Sequence, residues 1–84
     1  MKPMFSANAC DDYRYWQKTD KNVLKRINPL ISDIQRSPFE GIGKPERLKH
    51  ALSGYWSRRI DSGHRIVYRT DDDALSIAQL RYHY

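Results

Sequence analysis

The chain has 84 residues, a net charge of +5 and one cysteine, Cys10. This length predicts a single domain, residues 1–84, with one modest core, and a lone cysteine excludes an internal disulfide and a cysteine-rich metal cluster. This cysteine content fits a reducing cytosol, so the sequence predicts a cytoplasmic protein. No apolar run is long enough for a signal peptide or a membrane helix. The excess of basic residues favours an acidic partner such as nucleic acid.

The N-terminal segment predicts a short strand followed by a helix. Residues 2–5 fit a strand, and because Pro3 cannot donate a backbone hydrogen bond, we expect this strand at a sheet edge or starting at Pro3. Ser6 is a suitable N-cap for a helix over residues 7–19. The apolar residues at helical spacing in this helix are Ala9, Tyr13 and Trp16.

A second helix follows, with Asp20 as its predicted N-cap. Its apolar stripe consists of Val23, Leu24, Ile27, Leu30, Ile31 and Ile34. Pro29 interrupts the pattern, and a proline inside a helix costs on the order of 3 kcal/mol. We therefore expect either a kink or two short helices with Asn28 capping the second.

The next segment predicts a loop over residues 37–45. Gly41 and Gly43 are spaced like part of a phosphate-binding motif, but no strand precedes them and no complete motif follows, so a nucleotide-binding fold is not indicated. After Pro45, residues 46–50 fit one helical turn, and Leu48 is expected to anchor this segment to the core.

Residues 55–69 predict a β-hairpin around a loop at residues 61–63, with Gly63 in the left-handed conformation. This register places Arg59 opposite Arg65. One face of the hairpin suits a core and consists of Trp56, Ile60, Ile66 and Tyr68. The opposite face consists of Tyr55, Ser57, Arg59, Arg65, Val67 and Arg69.

A third strand is predicted at residues 74–80 after a solvated turn at residues 71–73. If Arg69 faces Ala74, then Leu75 and Ile77 point into the core. The arginine face then carries small residues that leave a shallow depression, namely Ala74, Ser76 and Ala78. In a continuous strand His83 would lie on the core side, so the C-terminal tail must bend if His83 is to serve on the arginine face.

Arg59 and Arg65 raise a question of function, because like charges directly opposite each other destabilise a sheet. Either an anion such as phosphate lies between them, or the two side chains splay apart on a solvated basic face. RNA cleavage without a metal needs a base, an acid and cations at the phosphate. Glu46 is a candidate base and His83 a candidate acid; the alternative is that both are ordinary surface residues.

Several motifs together closely resemble the RelE/YoeB family of bacterial toxin–antitoxin systems, over essentially the whole chain. They are Asp-Asp-Tyr…Tyr-Trp at 11–16, Lys-Pro-Glu-Arg-Leu-Lys-His at 44–50, Leu-Ser-Gly-Tyr-Trp-Ser-Arg-Arg-Ile at 52–60, His-Arg-Ile-Val-Tyr at 64–68 and the terminal Arg-Tyr-His-Tyr. The resemblance implies an α+β fold with two N-terminal helices packed on a mainly antiparallel small sheet, in the order β-α-α-β-β-β.

The same resemblance implies a function and partners. It implies an endonuclease that cleaves mRNA in the A site of the small ribosomal subunit and inhibits translation, with no metal or other cofactor. The implied partners are the ribosome, mRNA, a YefM-type antitoxin that neutralises the toxin, and a second copy of the chain in a homodimer.

Site residues follow from the resemblance by position. Glu46 would be the general base, His83 the general acid and Arg65 the group that stabilises the transition-state phosphate, while Tyr84 would complete the catalytic site. The residues that would bind RNA phosphates are Lys44, Lys49 and Arg59. An alternative reading is a non-catalytic basic module of the same fold that binds nucleic acid or protein. Such a module needs Arg59 and Arg65 but not the acid–base pair.

Overall fold

The computed structural model describes residues 1–83. Its helices and strands are β1 (Lys2–Phe5), α1 (Ala7–Thr19), α2 (Lys21–Arg36), β2 (Glu46–Arg47), β3 (Trp56–Arg59), β4 (Arg65–Thr70) and β5 (Ala74–Gln79). A short 3₁₀ turn, His50–Leu52, lies between β2 and β3. The predicted strand at residues 2–5 and helix at residues 7–19 are confirmed. No helix in this part of the chain is both long and apolar enough to span a bilayer.

The five strands form one sheet in the order β1-β5-β4-β3-β2. Strand β1 pairs in parallel with β5, and all other pairs are antiparallel, which confirms the predicted α+β class and the mainly antiparallel sheet. As expected for a strand containing Pro3, β1 lies at an edge. Strand β2 at the opposite edge was not predicted.

The prediction of a helical turn at residues 46–50 is wrong. Glu46 and Arg47 are extended and pair with Ser57 and Trp56 on the free edge of β3. That edge offers unpaired backbone groups, and their hydrogen bonds outweigh the weak helical tendency of a short segment after a proline. The only helical turn here comes later, at His50–Leu52.

Both predicted helix caps are present. The Ser6 hydroxyl accepts a hydrogen bond from the backbone N–H of Ala9, and the Asp20 carboxylate accepts one from Asn22. Helix α2 continues through Pro29, so the alternative of two separate helices is wrong. Pro29 is exposed, and the stripe on the buried side of α2 holds the helix together. Asn28 does not cap; its side-chain oxygen accepts a hydrogen bond from the Tyr13 hydroxyl.

One core lies between the helices and one face of the sheet. The helices contribute Ala9, Trp16, Val23, Ile27, Leu30, Ile31 and Ile34, and the sheet side contributes Ile60, Ile66, Tyr68, Leu75, Ile77 and Leu80. The predicted apolar stripe of α2 and the predicted core face of the hairpin are therefore confirmed. Leu48 is also buried, as expected.

The hairpin register is confirmed, with Trp56 opposite Tyr68 and Arg59 opposite Arg65. Gly63, however, does not have the predicted positive φ. The Asp61 carboxylate instead accepts hydrogen bonds from the N–H groups of Gly63 and His64, at 2.9 and 2.8 Å. A side-chain acceptor therefore closes this loop without a left-handed residue.

The predicted pairing of β4 with β5 is shifted by two residues. Arg69 lies opposite Ser76 rather than Ala74, because Thr70 extends β4 and pairs with Leu75. The register also changes next to Tyr68, where a bulge interrupts the pairing. A shift of two keeps the side chains before the bulge on their predicted faces. Leu75 and Ile77 are accordingly buried.

Candidate functional site

The sheet register places three predicted site residues on one face. Glu46 pairs with Ser57, which lies two residues before Arg59, and Arg59 pairs with Arg65. Directly paired residues share a face of a sheet, as do residues two apart in a strand. Glu46, Arg59 and Arg65 therefore point away from the helices, on what we call the outer face.

The C-terminal tail brings a fourth residue to the outer face. Strand β5 ends at Gln79, and Tyr82 has a left-handed backbone, φ 68°. The predicted bend is therefore present. Beyond it, the Arg65 Nε–H donates a hydrogen bond to Nε2 of His83 at 3.0 Å. The candidate acid thus contacts the residue proposed to hold the phosphate.

Arg59 and Arg65 are directly opposite, as predicted, with Arg59 exposed and Arg65 half-buried. An anion between their guanidinium groups remains a prediction. Standard sheet spacing gives the offset between Glu46 and Arg65. They are two strands apart, ~10 Å across the sheet, and two residues apart, ~7 Å along the strands. Glu46 and Arg65 therefore lie on either side of β3, the strand that carries Arg59.

The segment that follows Glu46 forms a cavity of about 350 Å³. Its lining is Glu46, Arg47, Leu48, Lys49, His50 and Leu52. Glu46 and Lys49 are both exposed here, so the structure brings the candidate base and one candidate phosphate ligand together. Lys44 is exposed in the preceding loop. Tyr84 lies outside the described residues, and its predicted role stays a prediction.

A second depression on the outer face lies beyond the arginine pair. It has a volume of about 260 Å³, and Ser76 and Ala78 line it together with Tyr55 and Arg69. The shallow depression predicted from the small residues of the third strand is therefore confirmed for Ser76 and Ala78. Within residues 1–83 no cluster of His, Cys, Asp and Glu side chains has the arrangement of a metal site.

Sequence reasoning missed Arg58, which supports this site from the core side. Its side chain is fully buried, and Nη1 lies 2.5 Å from Oδ2 of Asp33. Nη1 also donates to the carbonyl oxygen of Ile42 at 3.1 Å, and Nη2 donates to those of Ser37 and Glu40 at 2.6 and 3.0 Å. Arg58 therefore holds the 37–43 loop, which leads directly into Glu46.

The surroundings of this ion pair shift two pKa values. Hydrogen bonds from Arg58 and from the Ile42 N–H, with a smaller contribution from Arg36, hold the pKa of the Asp33 carboxyl below its usual value. Burial raises the pKa of the Tyr68 hydroxyl, although Arg58 Nε donates to it. The sequence did carry a signal for Arg58 itself, which falls on the core side of the hairpin register, where a charge needs a partner, but none for the identity of that partner.

Residues 5–84 match the family model described as the YoeB-like toxin of bacterial type II toxin–antitoxin systems. The chain belongs to the YoeB toxin family. It is 61% identical to Toxin YoeB of Escherichia coli K12 over 84 residues, which cover 100% of both chains. The predicted resemblance is thus confirmed.

Solved structures support the same YoeB assignment. A YoeB/ParE toxin from Agrobacterium tumefaciens has a TM-score of 0.97 and 46% identity, with 100% of both chains covered. A YoeB dimer from Staphylococcus aureus has a TM-score of 0.94, and the toxin of a heterotetrameric YoeB–YefM complex from the same organism has 0.91; both are 49% identical and cover 100% of this chain and 98% of theirs.

Proposed function

We propose that this YoeB-family toxin is an endoribonuclease that cleaves mRNA in the ribosomal A site and so inhibits translation. The observation that carries the proposal is the hydrogen bond between Arg65 and His83 on the same sheet face as Glu46 and Arg59. This arrangement offers a base, an acid and two cations around a space that suits a phosphodiester group.

In the proposed reaction Glu46 takes the proton of a ribose 2′-hydroxyl, and the freed oxygen attacks the adjacent phosphorus. The bond from phosphorus to the 5′-oxygen breaks, and His83 protonates that oxygen as it leaves. The products are a 2′,3′-cyclic phosphate and a 5′-hydroxyl. No metal is needed, because the protein side chains supply both proton transfers and the charge stabilisation.

Arg65 has two successive roles in this proposal. In the structure the Arg65 Nε–H donates to Nε2 of His83, and Nε2 is therefore a hydrogen-bond acceptor. To act as an acid, His83 must instead carry a proton there. A phosphate bound by the Arg65 guanidinium would replace the hydrogen bond and free Nε2 for protonation. Lys44, Lys49 and Arg59 would bind neighbouring phosphates, and Tyr84 would complete the site.

The proposed partners follow the staphylococcal relatives, one of which forms a complex with YefM and another a dimer. We propose that this chain likewise binds a YefM-type antitoxin, forms a homodimer and acts in the cytoplasm on translating ribosomes. Its net charge of +5 favours contact with ribosomal RNA.

The test is to incubate the purified protein with a defined mRNA, with and without ribosomes in a translating mixture, and to map breaks by primer extension. Breaks at in-frame codons only during translation are expected. Breaks without ribosomes would instead indicate a free-standing ribonuclease. RNA binding without breaks in either arm would contradict the proposal and favour the non-catalytic binding module.

A further inference from the structure

His64 lies outside the proposed acid–base set, yet it contacts the tail that carries His83. It is half-buried and lies directly before β4. Its Nδ1 accepts a hydrogen bond from the backbone N–H of Tyr82 at 2.8 Å. A backbone N–H can only donate, so Nδ1 acts here as an acceptor.

Tyr82 needs such a restraint because its backbone is left-handed, φ 68°, which is uncommon for residues other than glycine. Both of its backbone groups are bound at the same place. Its N–H donates to His64, and its carbonyl oxygen accepts from the Arg65 N–H at 3.1 Å. Residues 64 and 65 therefore fix the turn immediately before His83.

Helix α1 in turn fixes the imidazole of His64. The ring lies edge-to-face on Trp16, with 4.8 Å between ring centroids. Trp16 is buried and its Nε1–H donates to the carbonyl oxygen of Leu80 at 2.9 Å, while the Leu80 N–H donates to Asp12 at 3.0 Å. The same helix thus orients His64 and anchors the tail two residues before Tyr82.

We propose that His64 is a positioning residue for His83. By accepting the Tyr82 N–H, Nδ1 of His64 holds the tail in its left-handed turn and so places the His83 imidazole on Arg65. The geometric part of this inference stands by itself, and its effect on RNA cleavage rests on the proposed function. A small displacement of a reacting group lowers the turnover rate strongly, since catalysis depends on alignment.

Two substitutions separate the hydrogen bond from ring packing. His64→Phe keeps a ring against Trp16 but has no acceptor. His64→Asn removes the ring, and its side-chain oxygen can take the place of Nδ1. The direct readout is NMR of the Arg65 Nε–H and the His83 ring nitrogens in the full chain. We expect the Arg65–His83 signature to be lost in the Phe variant and kept in the Asn variant.

Cleavage in the translating mixture is the second readout. We expect kcat to fall by roughly tenfold to a hundredfold in His64→Phe with KM unchanged, and to be largely restored in His64→Asn. A Phe variant that retains the Arg65–His83 signature, or an Asn variant that loses it equally, would overturn the proposal. If His64→Phe does not fold, His64→Ala replaces it, because Ala and Asn both lack the ring and differ in the acceptor.

The two readouts keep this inference distinct from the proposed function. If the wild-type protein does not cleave mRNA, the proposed function fails, while the NMR comparison still decides whether His64 positions His83.

Discussion

Arg58 on β3 and Asp33 on α2 form an ion pair that joins the sheet to the helices inside the core. The Arg58 side chain is 0% exposed and that of Asp33 is 11% exposed. All the groups around the guanidinium are acceptors: one carboxylate, one hydroxyl and three backbone carbonyl oxygens. This full set of partners compensates for removing the charge from water.

Replacing Arg58 by methionine should destabilise the protein strongly. Arg58→Met keeps much of the side-chain volume but leaves the Asp33 carboxylate and the loop carbonyls without their donor. We expect the free energy of unfolding to fall by about 3–5 kcal/mol, measured by urea denaturation. The matched control is Arg26→Met on the exposed side of α2, with an expected change within about 0.5 kcal/mol. Equal effects of the two substitutions would contradict this role of Arg58.

The stability of the protein should depend on the protonation of Asp33. Its pKa is lowered below the reference value of 3.8 in the folded protein. The stabilisation is therefore fully present above about 3.8 and is lost as the pH falls from there through the lower folded pKa. Asp33→Asn should thus be less stable than wild type at pH 6, with a difference that shrinks in acid. Unfolding curves from pH 6 to pH 2 measure it, and a constant difference would refute the linkage.

Two glycines with positive φ offer a matched test of the 37–43 loop. A Cβ at Gly41 would overlap Oδ2 of Asp33, whereas a Cβ at Gly54 would have no atom within 4 Å. Gly54→Ala should cost only backbone strain, about 1–2 kcal/mol. Gly41→Ala should cost distinctly more, because it displaces the carboxylate from Arg58. Similar unfolding midpoints for the two variants would show that the loop adapts freely.

Removing the proposed base or acid should slow cleavage strongly without unfolding the protein. Glu46→Gln and His83→Gln should each lower the cleavage rate by roughly a hundredfold or more, the usual scale for acid–base catalysis. Both residues are exposed, so unfolding free energies should stay within about 0.5 kcal/mol of wild type. Glu40→Gln, another exposed glutamate, is the control expected to cleave normally. Full activity of both site variants would rule out this assignment.

Much of the fold could be predicted because local patterns and packing agree. The apolar stripe of α2 and the alternation in the hairpin specify which side chains are buried, and Ser6 and Asp20 mark the helix starts. The error in the β4–β5 register left Leu75 and Ile77 correctly assigned to the core, since a shift of two residues preserves the face of a side chain. The continuity of α2 through Pro29 was harder to foresee, because tertiary packing outweighs the local cost of proline.

Other features could not be read from the sequence, because they depend on distant partners. Strand β2 has only two residues, too few to show any periodicity, and it exists because β3 offers an edge. Arg58 needs Asp33, which lies 25 residues away. In the candidate site, the outer-face placement of Arg59 and Arg65 followed from the hairpin register. The contact of His83 with Arg65 depended on a bend whose anchors are on α1 and at His64.

The parallel pairing of β1 with β5 joins the first strand of the chain to the last. Helix α1 packs against β5 as well as against α2, so β1 lacks its strand partner and α1 lacks its sheet neighbour until β5 has been made. During synthesis the growing chain can therefore form helices but not the finished sheet. Since His83 follows β5, the outer-face site can form only after β5 has joined the sheet, so the fold and the site are completed in the same step.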